Sequence, residues 1–414
     1  MRTVLNISKH AAIGRRFNNL DAREYFLPNG WDPLYCSWTA SAEPREFVVE
    51  VPGKLNHFVT RALGRASRFT GDLNGFYRNA KHIAALEFFK RADLLHFHIV
   101  HEKWLSIHDW LKLAEQKPVV WTWHDPYMMT GHCIYPMQCR GFESGCIRCP
   151  HLDYHFPIKV DRSAENLREK VEAVTRMDPL VVVASDFMSE MVDRSLYSDK
   201  VRKKIVPFGV ELRKHPEHHQ ARTKLGLPTD RIVFGFRAVY SAYKGMDLIQ
   251  SLFARLAKTF PELPITVIAF QEKGCCVAFS GQYQVIETGW IEDGQIYEYF
   301  AAMDYFLMPS RAEAFGMMAI EAMATGACPI VTYGTALTEL IGAPRFGISV
   351  KAEENELYEC VLREIISGLN RTAMQREARI GFATQQYSLE RFSKDMANTY
   401  DEEHEYRASV RRPA

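Results

Sequence analysis

The sequence predicts an α/β protein built as two doubly wound domains. Three observations carry that expectation. At 414 residues, with 47% apolar and 24% charged side chains, the chain has the composition of a globular protein and is long for one core but ample for two. Short apolar runs of strand length alternate with helical stretches along most of it, as in parallel sheets with crossover helices. Between residues 304 and 332, a complete strand, polar loop, helix and strand can be read in succession.

That last stretch organises the rest. Asp304 to Met308 reads as a buried strand closed by Pro309-Ser310. Arg311 to Glu313 cross a tight loop. From Phe315 to about Thr325 the Ala, Met, Ile and Glu content predicts a helix, stopped by Gly326. Pro329 then opens a second strand, a place where proline is tolerated. Backbone N–H groups at Phe315, Gly316 and Met317 form a candidate anion site, and Gly316 allows a phosphate to approach closely.

The string Pro-Ser-x-x-Glu-x-Phe-Gly, with seven residues between Glu313 and Glu321 and then Ala-x-Ala-x-Gly, resembles the donor-site signature of retaining GT-B glycosyltransferases of the family 4 type. The resemblance implies two Rossmann-like domains facing across a cleft. It also implies transfer of a sugar, with retention, from a nucleotide diphosphate donor such as a UDP- or GDP-sugar. The acceptor would be a glycan or lipid-linked hydroxyl in cell-surface polysaccharide synthesis. Glu313 would then bind the transferred sugar and Glu321 the ribose.

The N-terminal run Val4 to Ile7 predicts a first strand. The loop after it carries Gly14 with Arg15 and Arg16, where family members hold donor phosphates with several glycines; two solvated arginines are the alternative. Residues 30–53 are rich in turn formers and predict no element. Leu55, Phe58, Val59, Ala62, Leu63, Ala66 and Phe69 recur at helical spacing, with Lys54, His57, Arg61, Arg65 and Arg68 on the other face. A basic amphipathic helix docks on a membrane, or else packs its apolar stripe on its own sheet.

Two further strands are expected at 93–98 and 118–122, placing His98 and His124 beyond carboxyl ends, where open α/β sheets bind ligands. The resemblance points to His124 as lying close to the reacting sugar; His96 is expected to serve packing. Cys133, Cys139, Cys146 and Cys149 follow within the Cys-rich segment 130–150, spaced C-x5-C-x6-C-x2-C. A structural zinc site, free or redox-active thiols, and a disulfide are the alternatives there. This string is similar to a subgroup of bacterial family 4 enzymes of exopolysaccharide and lipopolysaccharide assembly.

In the second half, Arg237 and Lys244 match the basic pair that grips the donor diphosphate in the family. Two fixed cations can stabilise the leaving group without a metal, and no Asp-x-Asp occurs in the chain. Gly289, Trp290 and Ile291 fall where similar enzymes bring backbone to the nucleotide base. The expected domains are 1–207 for the acceptor, 208–388 for the nucleotide sugar, and a helix from 389 to 414 crossing back to the first.

Charge and targeting exclude several classes. Net charge is +1, with +5 in residues 1–205 and −4 in the remainder. That imbalance is too weak for nucleic acid but compatible with an anionic lipid or acceptor. No apolar run is long enough to span a bilayer. Nine cysteines without a secretion signal suggest the cytoplasm, with possible contact at the inner face of the plasma membrane. A catalytically silent GT-B module that binds a glycan, nucleotide or partner enzyme is the alternative reading, and a GT-B epimerase or phosphorylase a further one.

Overall fold

A computed structural model describes the chain except residues 11–18, 40–44, 76, 102, 155, 213–215, 292 and 411–414. Gly14, Arg15 and Arg16 therefore lie outside the described residues. The chain forms two compact units: Met1–Gly209 together with Leu389–Ala414, and Val210–Ser388.

The first unit is built on strands β1 (Arg2–Ser8), β2 (Trp31–Ser37), β3 (Val48–Glu50), β4 (Leu94–Phe97), β5 (Val119–Thr122), β6 (Leu180–Val183) and β7 (Arg202–Ile205). They lie in the order β3-β2-β1-β4-β5-β6-β7, and every pair is parallel. Val4, Leu5 and Ile7 in β1 are fully buried, as the continuous apolar run of a strand covered on both faces requires. Strand β2 falls in the stretch that read as turn formers, and Pro33 within it is unfavourable in a central strand. The register explains its tolerance: Pro33 pairs with Val4 of β1, while β3 partners only Tyr35, Cys36 and Ser37. Pro33 thus sits where the β3 side has no strand to receive an N–H.

Two helices complete this unit in different ways. The Leu389–Val410 helix buries Phe392, Met396 and Tyr400, spaced four apart on one face. Tyr400 packs on Trp31 with ring centroids 5.2 Å apart and shares a 2.8 Å hydrogen bond with Nδ1 of His96. The Lys54–Thr70 helix does not follow the second of its two expected readings, in which the apolar stripe packs on the sheet. It buries the narrow face of Thr60, Gly64 and Ser67, and leaves Phe58, Val59, Leu63 and Phe69 exposed. Phe58 is 67% and Phe69 59% exposed, so the apolar stripe is not what packs this helix.

The second unit carries β8 (Ile232–Ala238), β9 (Ile265–Gln271), β10 (Gln284–Gly289), β11 (Tyr305–Met308), β12 (Cys328–Thr332) and β13 (Ile348–Val350). Their order is β10-β9-β8-β11-β12-β13, again all parallel. Asp304, expected as the first strand residue, is instead a buried partner of Arg222 at 2.6 Å and accepts the Val233 N–H at 2.8 Å. The helix predicted from Phe315 runs over Met317–Ala324. It starts later because Gly316, at φ +88°, turns left-handed and caps it.

Candidate active site

In the second unit the predicted donor residues collect at the carboxyl edge of the sheet. Two loops are stitched together there. Gly245, at φ +70°, lies so close to the Pro309 backbone that a Cβ would stand 2.1 Å from the carbonyl oxygen. The Arg311 N–H donates to the Tyr243 carbonyl at 2.7 Å, and the Arg311 guanidinium grips both oxygens of Asp247, at 2.7 and 2.5 Å. This fixes the 243–247 turn against the 309–313 loop. Lys244 and Glu313 meet as a result, Nζ to Oε2 at 2.6 Å, with side chains 21% and 10% exposed.

Gly316 follows directly. A Cβ on it would press within 2.2 Å of Leu337 Cδ2 and 3.4 Å of Glu313 Cγ, so only glycine fits between them. Phe315 is buried, edge-on to Tyr387 at 6.0 Å. The next residue, Met317, begins the helix, whose first N–H groups point back toward the loop. Glu321 is fully buried within that helix.

Arg237, the penultimate residue of β8, is exposed, and its Nε donates to Oε1 of Gln271 at 2.7 Å. Gln271 itself has φ +80°, unusual for a non-glycine residue. Nothing in the sequence marked Gln271; it orients Arg237 only because β8 and β9 are neighbours. Gly289 closes β10 at φ +71°, with Trp290 78% exposed after it and Ile291 partly buried.

In the first unit His124 follows β5, partly exposed, with its Nε2 3.1 Å from Nδ1 of His98. The tautomers follow from the chain of partners. Asn6 Nδ2 donates to the Leu34 carbonyl, which turns Asn6 Oδ1 toward His98 Nε2 at 2.9 Å. His98 Nε2 must then carry the proton, so His98 Nδ1 accepts from His124 Nε2. Burial, with His101 nearby, lowers the His124 pKa to about 3, so the ring is neutral at physiological pH. Asn6 and His98 were not singled out for this role; they hold His124 from behind, with His98 itself buried. His96 is enclosed, bonded to Thr122 Oγ1 at 2.7 Å and to Tyr400.

The Cys-rich segment gathers its thiols around backbone donors. Gly131 N–H points at Cys146 Sγ at 3.3 Å and Gly141 N–H at Cys139 Sγ at 3.4 Å; Cys149 Sγ lies 4.0 Å from His132 Nδ1. Burial, with Cys146 next in effect, raises the Cys133 pKa to about 12. The four sulfurs are not drawn into a cage. Among the described residues, the group of three or more metal-type ligands with atoms within 4.8 Å of one another is Cys275, Cys276 and Glu287. There Glu287 receives the N–H groups of Gly274 and Cys276 at 2.7 and 3.0 Å. No helix among the described residues is long and apolar enough to cross a membrane.

Comparison with known proteins agrees with this layout. Residues 218–381 match the family Glycosyl transferases group 1. A putative colanic acid biosynthesis glycosyl transferase, WcaC of Escherichia coli, is 32% identical over 114 residues, 26% of this chain and 27% of that protein. The D-inositol 3-phosphate glycosyltransferase of Corynebacterium urealyticum is 23% identical over 259 residues, 58% of this chain and 60% of its own length. The alignments thus span between about a quarter and three fifths of these relatives. The sucrose-phosphate synthase structure from Thermosynechococcus elongatus superposes with a TM-score of 0.71 at 16% identity, covering 97% of this chain and 99% of that one. The chain has the GT-B fold of two parallel-sheet Rossmann-like units, and its residues 218–381 carry the group 1 glycosyl transferase match.

Proposed function

We propose that this protein is a retaining, metal-independent glycosyltransferase. It would move a sugar from a UDP- or GDP-sugar to a glycan or lipid-linked hydroxyl in cell-surface polysaccharide synthesis. The Lys244–Glu313 pair carries the reading. A cation and a carboxylate 2.6 Å apart, beside a glycine-capped helix start, form a site that a diphosphate can open. An arriving diphosphate competes for Lys244, and Glu313 is then released to accept hydrogen bonds from the sugar hydroxyls. Arg237, steadied by Gln271, adds the second cation. The leaving phosphate oxygen can take the acceptor proton, so no protein nucleophile is required. Neutral His124 is assigned to orienting a sugar hydroxyl.

The two glutamates separate this reading from a silent binding module. Glu313→Gln keeps shape and removes charge, so turnover should fall while the bare nucleoside diphosphate still binds. Glu321→Ala should weaken nucleotide binding itself by about 1–3 kcal/mol, the worth of hydrogen bonds to a charged group. Calorimetry with UDP and GDP beside turnover assays separates the patterns. Equal loss of affinity in both variants, with turnover kept, would contradict the assignment.

Two subsidiary roles belong to the same proposal. The exposed apolar stripe and arginines of the Lys54–Thr70 helix support peripheral contact with an anionic membrane. Phe58→Asp with Leu63→Asp should abolish co-sedimentation with anionic liposomes; undiminished binding would argue against that contact. The Cys-rich segment is proposed to close on a structural zinc, supported by its N–H···S bonds to Cys139 and Cys146. Elemental analysis should give one zinc per chain, and Cys149→Ser should lose it and lower the melting temperature. A metal-free protein of unchanged stability would return these residues to ordinary thiols.

A further inference from the structure

The first unit holds a hollow of about 640 Å³ whose lining, among the described residues, includes the cations Lys9, Arg61, Arg65, Arg68 and Lys103 and no Asp or Glu. Its position follows from the sheet order. Lys9 comes directly after β1, Trp38 directly after β2, and Lys103 in the loop after β4. Because β2, β1 and β4 are consecutive neighbours, three parallel strands deliver these residues to one carboxyl edge. Ligands bind at that edge in open α/β sheets. The Lys54–Thr70 helix borders the same hollow and turns its arginines into it.

The local structure is arranged to hold these charges together. Gly64 faces Lys103 so closely that a Cβ would stand 3.2 Å from Lys103 Cβ and 3.5 Å from its Cδ, so glycine leaves the lysine its course along the helix. Lys103 adopts φ +67°, a costly backbone for a side-chain-bearing residue. Burial, then Lys9 and Arg68, hold its ammonium below the usual lysine range. Among the described residues, Arg61, Arg65, Arg68 and Lys103 have no carboxylate in ion-pair range. Beside them Trp38 and His57 stack flat, centroids 3.8 Å apart at 15°, with His57 Nε2 tied to the Val51 carbonyl at 2.9 Å.

The like charges of Arg61, Arg65, Arg68 and Lys103, gathered around one hollow, repel one another, and partial burial of Lys103 strengthens the repulsion. A multiply charged anion removes that cost, and arginine forks match phosphate oxygens in pairs. We infer that this hollow is a binding site for a phosphate- or diphosphate-bearing acceptor, gripped by Arg65, Arg68, Lys103 and Lys9 beside the Trp38–His57 plate. The word acceptor rests on the glycosyltransferase reading; the anion site does not. A soluble phosphorylated sugar and a lipid-carried phosphate present the same chemistry, and the test distinguishes them.

The test compares the full-length protein with Arg65→Glu/Arg68→Glu, both exposed positions, and separately with Lys103→Met, which keeps the side chain's bulk. Each is titrated calorimetrically with inorganic pyrophosphate, so that any diphosphate binding in the second unit is common to all and cancels in the difference. The expected result is a saturable event in the unaltered protein whose Kd rises roughly tenfold or more in both variants, at unchanged melting temperature. Equal binding in all three proteins, or none in the unaltered one, overturns the site. Phosphatidylglycerol vesicles supply the second arm. If pyrophosphate displaces the protein from them, the phosphate is lipid-carried; if vesicle binding ignores pyrophosphate while the titration difference stands, the acceptor is soluble. Absence of nucleotide-sugar turnover in the unaltered protein would defeat the transferase reading and leave the pyrophosphate difference as the independent readout of this site.

Discussion

Replacing Lys244 with alanine is expected to slow sugar transfer about a hundred- to a thousandfold, the scale for removing one preorganised group that meets developing charge. The reason lies in what Lys244 faces. Its ammonium is largely enclosed and bonded to Glu313 at 2.6 Å, so the loop is already shaped around a positive charge. Alanine removes the cation that would balance the leaving diphosphate. It also leaves the Glu313 carboxylate uncompensated beside the incoming phosphates. The first effect should appear in kcat and the second as weaker donor binding. Adding Glu313→Gln to Lys244→Ala should recover part of the donor affinity, because it removes the repulsion without restoring the cation. Full activity in Lys244→Ala, with or without magnesium, would end the proposed role.

Gly245→Ala should destabilise the protein by about 2–4 kcal/mol, joining the cost of a left-handed backbone to that of overpacking. The new Cβ would lie 2.1 Å from the Pro309 carbonyl oxygen and 2.9 Å from its carbon, and backbone cannot yield as a flexible side chain can. Gly226→Ala is the matched control: φ is +64°, and nothing lies within 4 Å of the added carbon. Only the backbone term applies there, roughly 1–2 kcal/mol. Urea denaturation of both variants measures the difference. Equal losses would mean that the Pro309 contact contributes nothing and that the two loops are not held together as described.

What could be read from the sequence was whatever depends on neighbours along the chain. The strand-loop-helix string around Glu313 was legible because Gly316, the helix run and Gly326 each act locally, and only element starts moved, to Tyr305, Met317 and Cys328. Phe392, Met396 and Tyr400 were legible because one helical face repeats every four residues. For the Lys54–Thr70 helix the sequence left open which face is buried. Its packing face is made of Thr60, Gly64 and Ser67, small residues that hydrophobic periodicity does not count, while the visible apolar stripe is turned outward. Strand β2 was hidden among turn formers such as Pro33, whose tolerance depends on where β3 stops. The pairing of Gln271 with Arg237, the Asn6–His98–His124 series, and the meeting of Lys9, Trp38 and Lys103 all depend on sheet order. Strand neighbours 24 to 90 residues apart leave no mark in spacing, so these contacts needed the fold.

The Leu389–Val410 helix also bears on how the chain is made. Val210–Ser388 is contiguous, so the ribosome delivers everything that unit needs before the Leu389–Val410 helix is translated. The first unit has no such advantage, although its strands emerge earlier. Trp31 waits for Tyr400 and for Asp401, whose carboxylate accepts its indole N–H at 2.9 Å, and His96 waits for the Tyr400 hydroxyl. Arg202 likewise lacks Glu403, its 2.7 Å partner, until the Leu389–Val410 helix has been translated. The half that is synthesised first therefore matures last. A stalled or prematurely terminated chain carries a finished second unit attached to a first unit in which Trp31 is uncovered, as is Phe26, whose ring otherwise stacks 5.8 Å from Tyr400. This is the form that chaperones and proteases would recognise.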